Sequence, residues 1–279
     1  MTHIAFLGVG RMGAPMAGRL ADAGHELTVW SRTRAHADAL ADRATLAASP
    51  AEAGAKAEVA ITMLTDGGAL EEVTLGRDGL AESLPAGSLL VDMSTTGPAA
   101  ARKVAKALEA RSVGFVDAPV AGSVGPAAEG TLAIMVGGSE EAYAAARPVL
   151  ELMGTRVVHA GPIGAGTQMK LARNMMHFVA FTAATEAQRL AEAAGLDLVE
   201  LGHVVRHTDA ITGGPGAIMH RDSTAPLAED DFWFGVFDHV RALGEKDLSF
   251  AIELADTLGV DVPLARQARE RLAKGLGLP

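Results

Sequence analysis

Short apolar runs alternate with helix-period stretches through the first 160 residues. HIAFLG (3–8), ELTVWSR (26–32), EVAITML (58–64), SLLVDMS (88–94), VGFVDAPV (113–120), LAIMVGG (132–138) and RVVHA (156–160) read as strands. Between them, 12–23 reads as a helix stopped by Gly24. Further helices are expected around 35–42, from Ser49-Pro50, from near Pro98, and from Ser139 to about Leu152. Ser49 suits an N-cap and Pro50 the first helical position. Strand and helix in alternation, with strands apolar almost throughout, predict a parallel sheet covered on both faces. Its crossovers should be right-handed.

After GPIGAG (161–166) the pattern changes. Residues 167–194 hold no strand candidate and are apolar all round, which predicts a long helix buried on several sides. The stretches 199–205, 236–257 and 264–272 are also helical in period. A boundary near 162 follows, with residues 1–162 as an α/β domain and 163–279 as an all-α domain. The glycines of GPIGAG would serve as a hinge.

Composition narrows the function classes. The chain has 279 residues, 49% of them hydrophobic, enough for two domains with full cores. Its formal net charge is −10 and no basic stripe stands out, which argues against nucleic acid and against an anionic membrane surface. No window approaches the roughly 20 apolar residues of a membrane span. The start, MTHIAFLGVG, lacks the basic flank and apolar length of a signal peptide. There is no cysteine, so disulfides, thiol catalysis and cysteine-ligated metal are excluded. A cytoplasmic location is expected. The nine histidines show no metal-binding spacing, and no metal is expected.

The first strand runs into GVGRMG (8–13), a G-x-G-x-x-G that opens a helix at the start of a βαβ unit. Gly8 allows the tight turn, Gly10 lets the backbone approach a pyrophosphate, and Gly13 lets helix and strand pack closely. Free N–H groups at the helix start then meet the phosphates, with Val9, Arg11 and Met12 in the same loop. A glycine turn with no ligand is the plain alternative.

The end of the second strand bears on which dinucleotide binds. NAD enzymes usually carry an acid there for the ribose hydroxyls. Here the residues are Ser31, Arg32 and Thr33. An arginine suits a 2′-phosphate, being always charged and able to bond two oxygens at once. NADP(H) is therefore expected over NAD(H), which stays the weaker alternative. Arg32 as a solvated surface charge is the competing reading, and Arg34 is near enough to help. Met63, Leu64 and Thr65 end one further strand, and Thr95 ends another. Ligands of open α/β sheets bind outside such carboxyl ends, so these residues are candidates beside an ordinary loop role.

Just past the boundary, Lys170 and Asn174 stand at i and i+4 and share a helix face, with His177 at i+7. An amine can take the proton of an alcohol during oxidation or return it during reduction. Burial would lower its pKa toward that task. The carboxamide can hold a substrate oxygen in line. A snorkelling surface lysine is the competing reading for Lys170.

Four stretches in order then carry a resemblance. GVGRMGAPMAGRLADAGH (8–25), DAPVAGSVGPAAEGTLAIMVGG (117–138), GAGTQMKLARN (164–174) and EKDLSFA (245–251) resemble the cofactor, substrate, catalytic and C-terminal cofactor stretches of the β-hydroxyacid dehydrogenase family. That family includes 3-hydroxyisobutyrate dehydrogenase, tartronate semialdehyde reductase and the glyoxylate/succinic semialdehyde reductases. The resemblance covers nearly the whole chain. It implies a Rossmann dinucleotide-binding domain, then an all-helical substrate and dimerisation domain entered through a long interdomain helix. It implies Lys170 as general acid/base, Asn174 as substrate-binding, and Lys246 with Asp247 beside the cofactor. A small hydroxy acid or semialdehyde would be the substrate. A homodimer or homotetramer would be the assembly, the long helix of one subunit helping to bury its partner.

One departure stands out. The family pattern places a serine where this chain has Ala121, followed by Gly122 and Ser123. The alanine offers no hydroxyl to a substrate carboxylate. The N–H groups of Gly122 and Ser123, or the Ser123 hydroxyl, are left to take that part. Two alternatives stand beside the dehydrogenase reading. One is an imine reductase of the same architecture, against which Lys170 speaks. The other is an NADPH-binding module without catalysis. The stretch 208–222 is expected as a loop between helices, and the resemblance implies that it helps close the substrate cleft. The aromatic stretch 231–240 is expected either to pack helices together or to cap the site near Lys246.

Overall fold

The computed structural model describes all residues from Met1 to Pro279. The chain divides into two compact units, Met1–Arg173 and Asn174–Pro279.

The first unit opens with β1 (His3–Leu7), α1 (Gly13–Asp22), β2 (Glu26–Trp30), α2 (Arg34–Asp38), β3 (Thr45–Leu46), α3 (Pro50–Gly54), β4 (Val59–Thr62) and α4 (Gly67–Leu75). It continues through β5 (Leu89–Asp92), α5 (Pro98–Glu109), β6 (Gly114–Asp117), β7 (Val120–Ala121), α6 (Val124–Glu129), β8 (Leu132–Gly137), α7 (Glu140–Leu150) and β9 (Gly154–Gly161). The sheet order is β3-β2-β1-β4-β5-β6-β8-β7, with β9 beside β8. Strands β1 to β6 pair parallel to one another. Alternation within β1 explains why both faces are covered. Ile4 and Phe6 enter a core with Met16 and Leu20 of α1 and Val149 of α7. Ala5 and Leu7 enter a second core with Leu70 of α4 and Val104 of α5.

The all-parallel expectation holds only as far as β6. The run 113–120 is not one strand. It breaks at Ala118-Pro119, where proline has no N–H for a ladder, and Val120 and Ala121 then pair antiparallel to β8. β8 also lies antiparallel to β6. The connection between them carries only the six-residue α6, too little for a crossover. Helix α4 went unpredicted because two glycines open it. It forms on the cap from Asp66, whose carboxylate accepts the Ala69 N–H at 2.9 Å.

Helix α8 (Ala165–Ala193) runs through the division between the units. The rest of the second unit is α9 (Leu198–Thr212), α10 (Phe232–Leu258) and α11 (Pro263–Gly275). The stretch 208–222 is therefore helical up to Thr212, and Gly213 ends that helix with φ +87°. Leu227, Phe237, Leu276 and Leu278 form a small core with Trp233 and Phe234, so the aromatic stretch packs helices together. The expected burial of 167–194 on several sides is not met within one chain. Met175, Phe178 and Phe181 are 68%, 59% and 55% exposed. No helix is long and apolar enough to cross a membrane.

Candidate active site

The glycine loop is shaped by what each missing side chain would strike. Gly8 sits at φ +95°, and a Cβ there would meet the Met63 carbonyl oxygen at 2.3 Å. A Cβ on Gly13 would meet the Gly8 carbonyl oxygen at 2.0 Å, so α1 presses directly on the loop. Gly10 has nothing within 4 Å of its would-be Cβ and faces open space. Helix α1 has no side-chain cap, which leaves N–H groups at its start for a ligand or water. This arrangement fits a dinucleotide pyrophosphate. Val9 is buried beneath the loop, while Arg11 is exposed.

A cavity of about 350 Å³ adjoins the loop and gathers Gly8, Gly10, Ser31, Arg32, Thr33, Met63, Leu64 and Thr65. Most of the sequence-derived cofactor residues therefore share one wall system. Arg34 does not join them. Its guanidinium binds Asp38 at 2.9 Å and the Ala47 carbonyl at 3.3 Å. His36 and Arg77 line the same cavity and were missed by sequence reasoning. Arg77 follows α4, the helix that the pattern did not show. A larger cavity, about 530 Å³, lies within the helical unit among α8, α10 and α11, and its lining is mostly apolar.

Two loops beyond the cavity are tied by Asp92. Its carboxylate accepts the Thr62 hydroxyl at 2.9 Å, the Thr96 hydroxyl at 2.8 Å and the Ser94 N–H at 3.2 Å. The Ser94 hydroxyl in turn accepts the Leu64 N–H at 2.8 Å. The β4 and β5 loops are thus one hydrogen-bonded assembly. Burial pushes the Asp92 carboxyl up to about 6, against the opposing effect of these bonds. Thr95 is exposed at the crest of the β5 loop and does not line the cavity.

Asp117, in register with Asp92 on the neighbouring strand, reaches the start of α8. It accepts the Gly164 N–H at 2.6 Å, the Thr167 N–H at 2.7 Å and the Thr167 hydroxyl at 2.9 Å. The first turn of α8 is therefore fixed at the carboxyl end of β6. Lys170 follows one turn later and is 8% exposed. Burial, then the charge of Arg173, holds its amine below the usual lysine range. Asn174 is half-buried one turn further on. The ring of His177 packs on Phe181 at 4.2 Å.

Ala121 sits in β7 opposite Ala133. Gly122 has φ +139°, and a Cβ there would meet Leu132 at 2.6 Å, so only glycine fits. Ser123 stands before α6 without using its hydroxyl as a cap. Lys246 and Asp247 lie on α10 in the second unit, both exposed, with their charged groups 3.2 Å apart.

Along the first unit the sites form a continuous series at the carboxyl edge of the sheet. Gly8 abuts Met63, Leu64 is bonded to Ser94, Asp92 is in register with Asp117, and Asp117 holds the turn before Lys170. A phosphate-compatible loop and a buried amine of lowered basicity thus share one edge of one sheet.

Comparison with known proteins agrees with this arrangement. Residues 3–161 match the family model for the NAD binding domain of 6-phosphogluconate dehydrogenase. Residues 164–276 match the family model described as NAD-binding of NADP-dependent 3-hydroxyisobutyrate dehydrogenase. A crystal structure from Mycobacterium avium 104 superposes with TM-score 0.95 at 46% identity, covering 100% of both chains. The 3-hydroxyisobutyrate dehydrogenase of Pseudomonas aeruginosa is 38% identical over 96% of this chain and 90% of its own length. A Mycobacterium tuberculosis 3-hydroxyisobutyrate dehydrogenase structure with L-serine gives TM-score 0.68, with 36% identity over 98% and 93% of the two chains. The chain belongs to the β-hydroxyacid dehydrogenase family, of the 3-hydroxyisobutyrate dehydrogenase type, and is an NAD(P)-dependent oxidoreductase.

Proposed function

We propose that the protein interconverts a small 3-hydroxy acid and its semialdehyde, prefers NADP(H) over NAD(H), and uses Lys170 as general acid/base. The observation that carries this reading is the buried Lys170 amine, of lowered pKa, on a helix start tied to the carboxyl edge of the dinucleotide sheet. When bound, the nicotinamide takes up or supplies the hydride. In oxidation the neutral Lys170 amine accepts the hydroxyl proton, and the positive charge of Arg173 favours that neutral form. In reduction the ammonium form returns the proton. Asn174 holds the reacting oxygen in line. The N–H groups of Gly122 and Ser123, with the Ser123 hydroxyl, take the substrate carboxylate in place of the absent hydroxyl at Ala121.

Gly8, Val9, Gly10, Arg11, Met12 and Gly13 hold the pyrophosphate, and Arg32 with Ser31 and Thr33 holds the 2′-phosphate. Met63, Leu64, Thr65 and Thr95 border the nucleotide, and Lys246 with Asp247 completes the cofactor site. The functional division is 1–162 for the cofactor and 163–279 for substrate and dimerisation, in a cytoplasmic homodimer or homotetramer. The exposed Met175, Phe178 and Phe181, three apart along α8, support that assembly.

The test is turnover of a panel of small semialdehydes, 3-hydroxy acids and cyclic imines with NADPH, NADP⁺, NADH and NAD⁺. Turnover of a semialdehyde with NADPH supports the proposal. Turnover of cyclic imines alone identifies an imine reductase. NADPH binding without turnover of any compound identifies a binding module.

A further inference from the structure

Asp117 is fully buried and takes no part in the proton transfer described above. We infer that Asp117 is a positioning residue: fixed at the end of β6, it caps α8 and thereby sets the place of Lys170. This inference rests on the assignment of Lys170 as the acid/base.

Helix α8 begins at Ala165, so Gly164 is the residue before it and Thr167 its third residue. A helix normally satisfies these N–H groups with its own cap side chain and its own third residue. Gly164 has no side chain to offer. A carboxylate from the sheet does the work instead, accepting both N–H groups and the Thr167 hydroxyl. Its charge also suits the positive end of a 29-residue helix.

The joint has no slack. A Cβ on Gly166 would meet the Met135 carbonyl oxygen at 2.3 Å and the Asp117 carbonyl oxygen at 2.5 Å. A Cβ on Gly137 would meet the Asp117 carboxylate at 2.4 Å. The helix start is therefore seated backbone-to-backbone on β6 and β8. Thr167 and Lys170 are three residues apart on one helix face, so any displacement at Thr167 reaches Lys170 directly. Loss of the cap would fray the first turn, admit water around the Lys170 amine, and return it toward ordinary lysine basicity.

The test compares wild type, Asp117→Asn, Thr167→Val, Thr167→Ser and Lys170→Ala in the oxidation direction across pH. Asp117→Asn is expected to lower kcat about ten- to a hundredfold, the scale of a small misplacement of a reacting group. KM for NADP⁺ should not change, and the midpoint of the pH–rate limb should move to higher pH. Thr167→Val should move both readouts the same way by less, and Thr167→Ser should restore them. An unchanged kcat and midpoint in Asp117→Asn, with Lys170→Ala inactive, would overturn the inference. So would losses of kcat and cofactor affinity in parallel with no shift of the midpoint, which mark a general structural role. If Asp117→Asn does not fold, the Thr167 pair decides by the same readouts. An active Lys170→Ala enzyme would instead overturn the assignment beneath the inference.

Discussion

Asp92 and Asp117 stand opposite each other in register on β5 and β6, both fully buried; Asp92 accepts two hydroxyls and one backbone N–H, Asp117 one hydroxyl and two backbone N–H groups. Each carboxylate ties a loop to the edge of the sheet. Asp92 joins the β4 and β5 loops, and Asp117 holds the start of α8. The carboxyl edge is therefore stiffened from within by two buried acids, and the candidate site rests on both.

Asp92 should make stability depend on pH. Folded, its carboxyl keeps a proton up to about pH 6, against a normal value of 3.8. Between these values the folded state binds the proton and the unfolded state does not, so stability falls as pH rises. At about 1.4 kcal/mol per unit the full effect is roughly 3 kcal/mol. Thermal unfolding of wild type and Asp92→Asn at a series of pH values checks this. The wild-type advantage should shrink between pH 4 and 6 and stay constant above.

Two glycines in one loop should respond differently to alanine. At Gly13 the added Cβ would lie 2.0 Å from the Gly8 carbonyl oxygen, so Gly13→Ala should lower the melting temperature and abolish NADPH binding. At Gly10 nothing lies within 4 Å, so Gly10→Ala should melt like wild type and lose only cofactor affinity. Melting curves paired with NADPH fluorescence titration separate the two.

Arg32→Asp should reverse or abolish the NADP preference. Losing one charge-assisted bond to the 2′-phosphate costs about 1.5–3 kcal/mol, or roughly ten- to a hundredfold in affinity. The added carboxylate suits ribose hydroxyls and repels a phosphate. The ratio of kcat/KM for NADPH and NADH measures it, and an unchanged ratio removes Arg32 from the specificity role.

Glu186 should matter for stability alone. It is buried in α8, and its two oxygens accept the Leu264 and Ala265 N–H groups at 2.9 and 3.1 Å. These lie in the first turn of α11, behind Pro263. Glu186→Ala strands both donors and should cost about 1–3 kcal/mol. Chemical denaturation followed by far-UV circular dichroism reads the change.

Much of this was legible in the sequence, and the failures have physical causes. The glycine spacing marked the loop because Gly8 and Gly13 answer local backbone demands, while Gly10 leaves open space beside it. The parallel strands to β6 were legible because both of their faces are apolar. The antiparallel turn at Pro119 was hidden because Val120 continues an apolar run on either side of the break. Helix α4 was hidden by its opening glycines, and Arg77 with it. Arg34 lies outside the cavity lining and binds Asp38, a pairing that proximity to Arg32 does not reveal. The capping role of Asp117 joins residues about fifty apart, and no local pattern reports such a pairing. The apolar residues of α8 were read as buried, and in a single chain many are exposed.

Everything proposed for the site depends on the buried amine of Lys170 moving the proton. The direct measurement is single-turnover reduction of a semialdehyde by NADPH-saturated wild type and Lys170→Ala, with NADPH affinity measured on the same samples. Lys170→Ala should lose at least about a hundredfold in rate, the low end of general acid/base catalysis, with NADPH affinity unchanged. An alanine variant that turns over at the wild-type rate would contradict it.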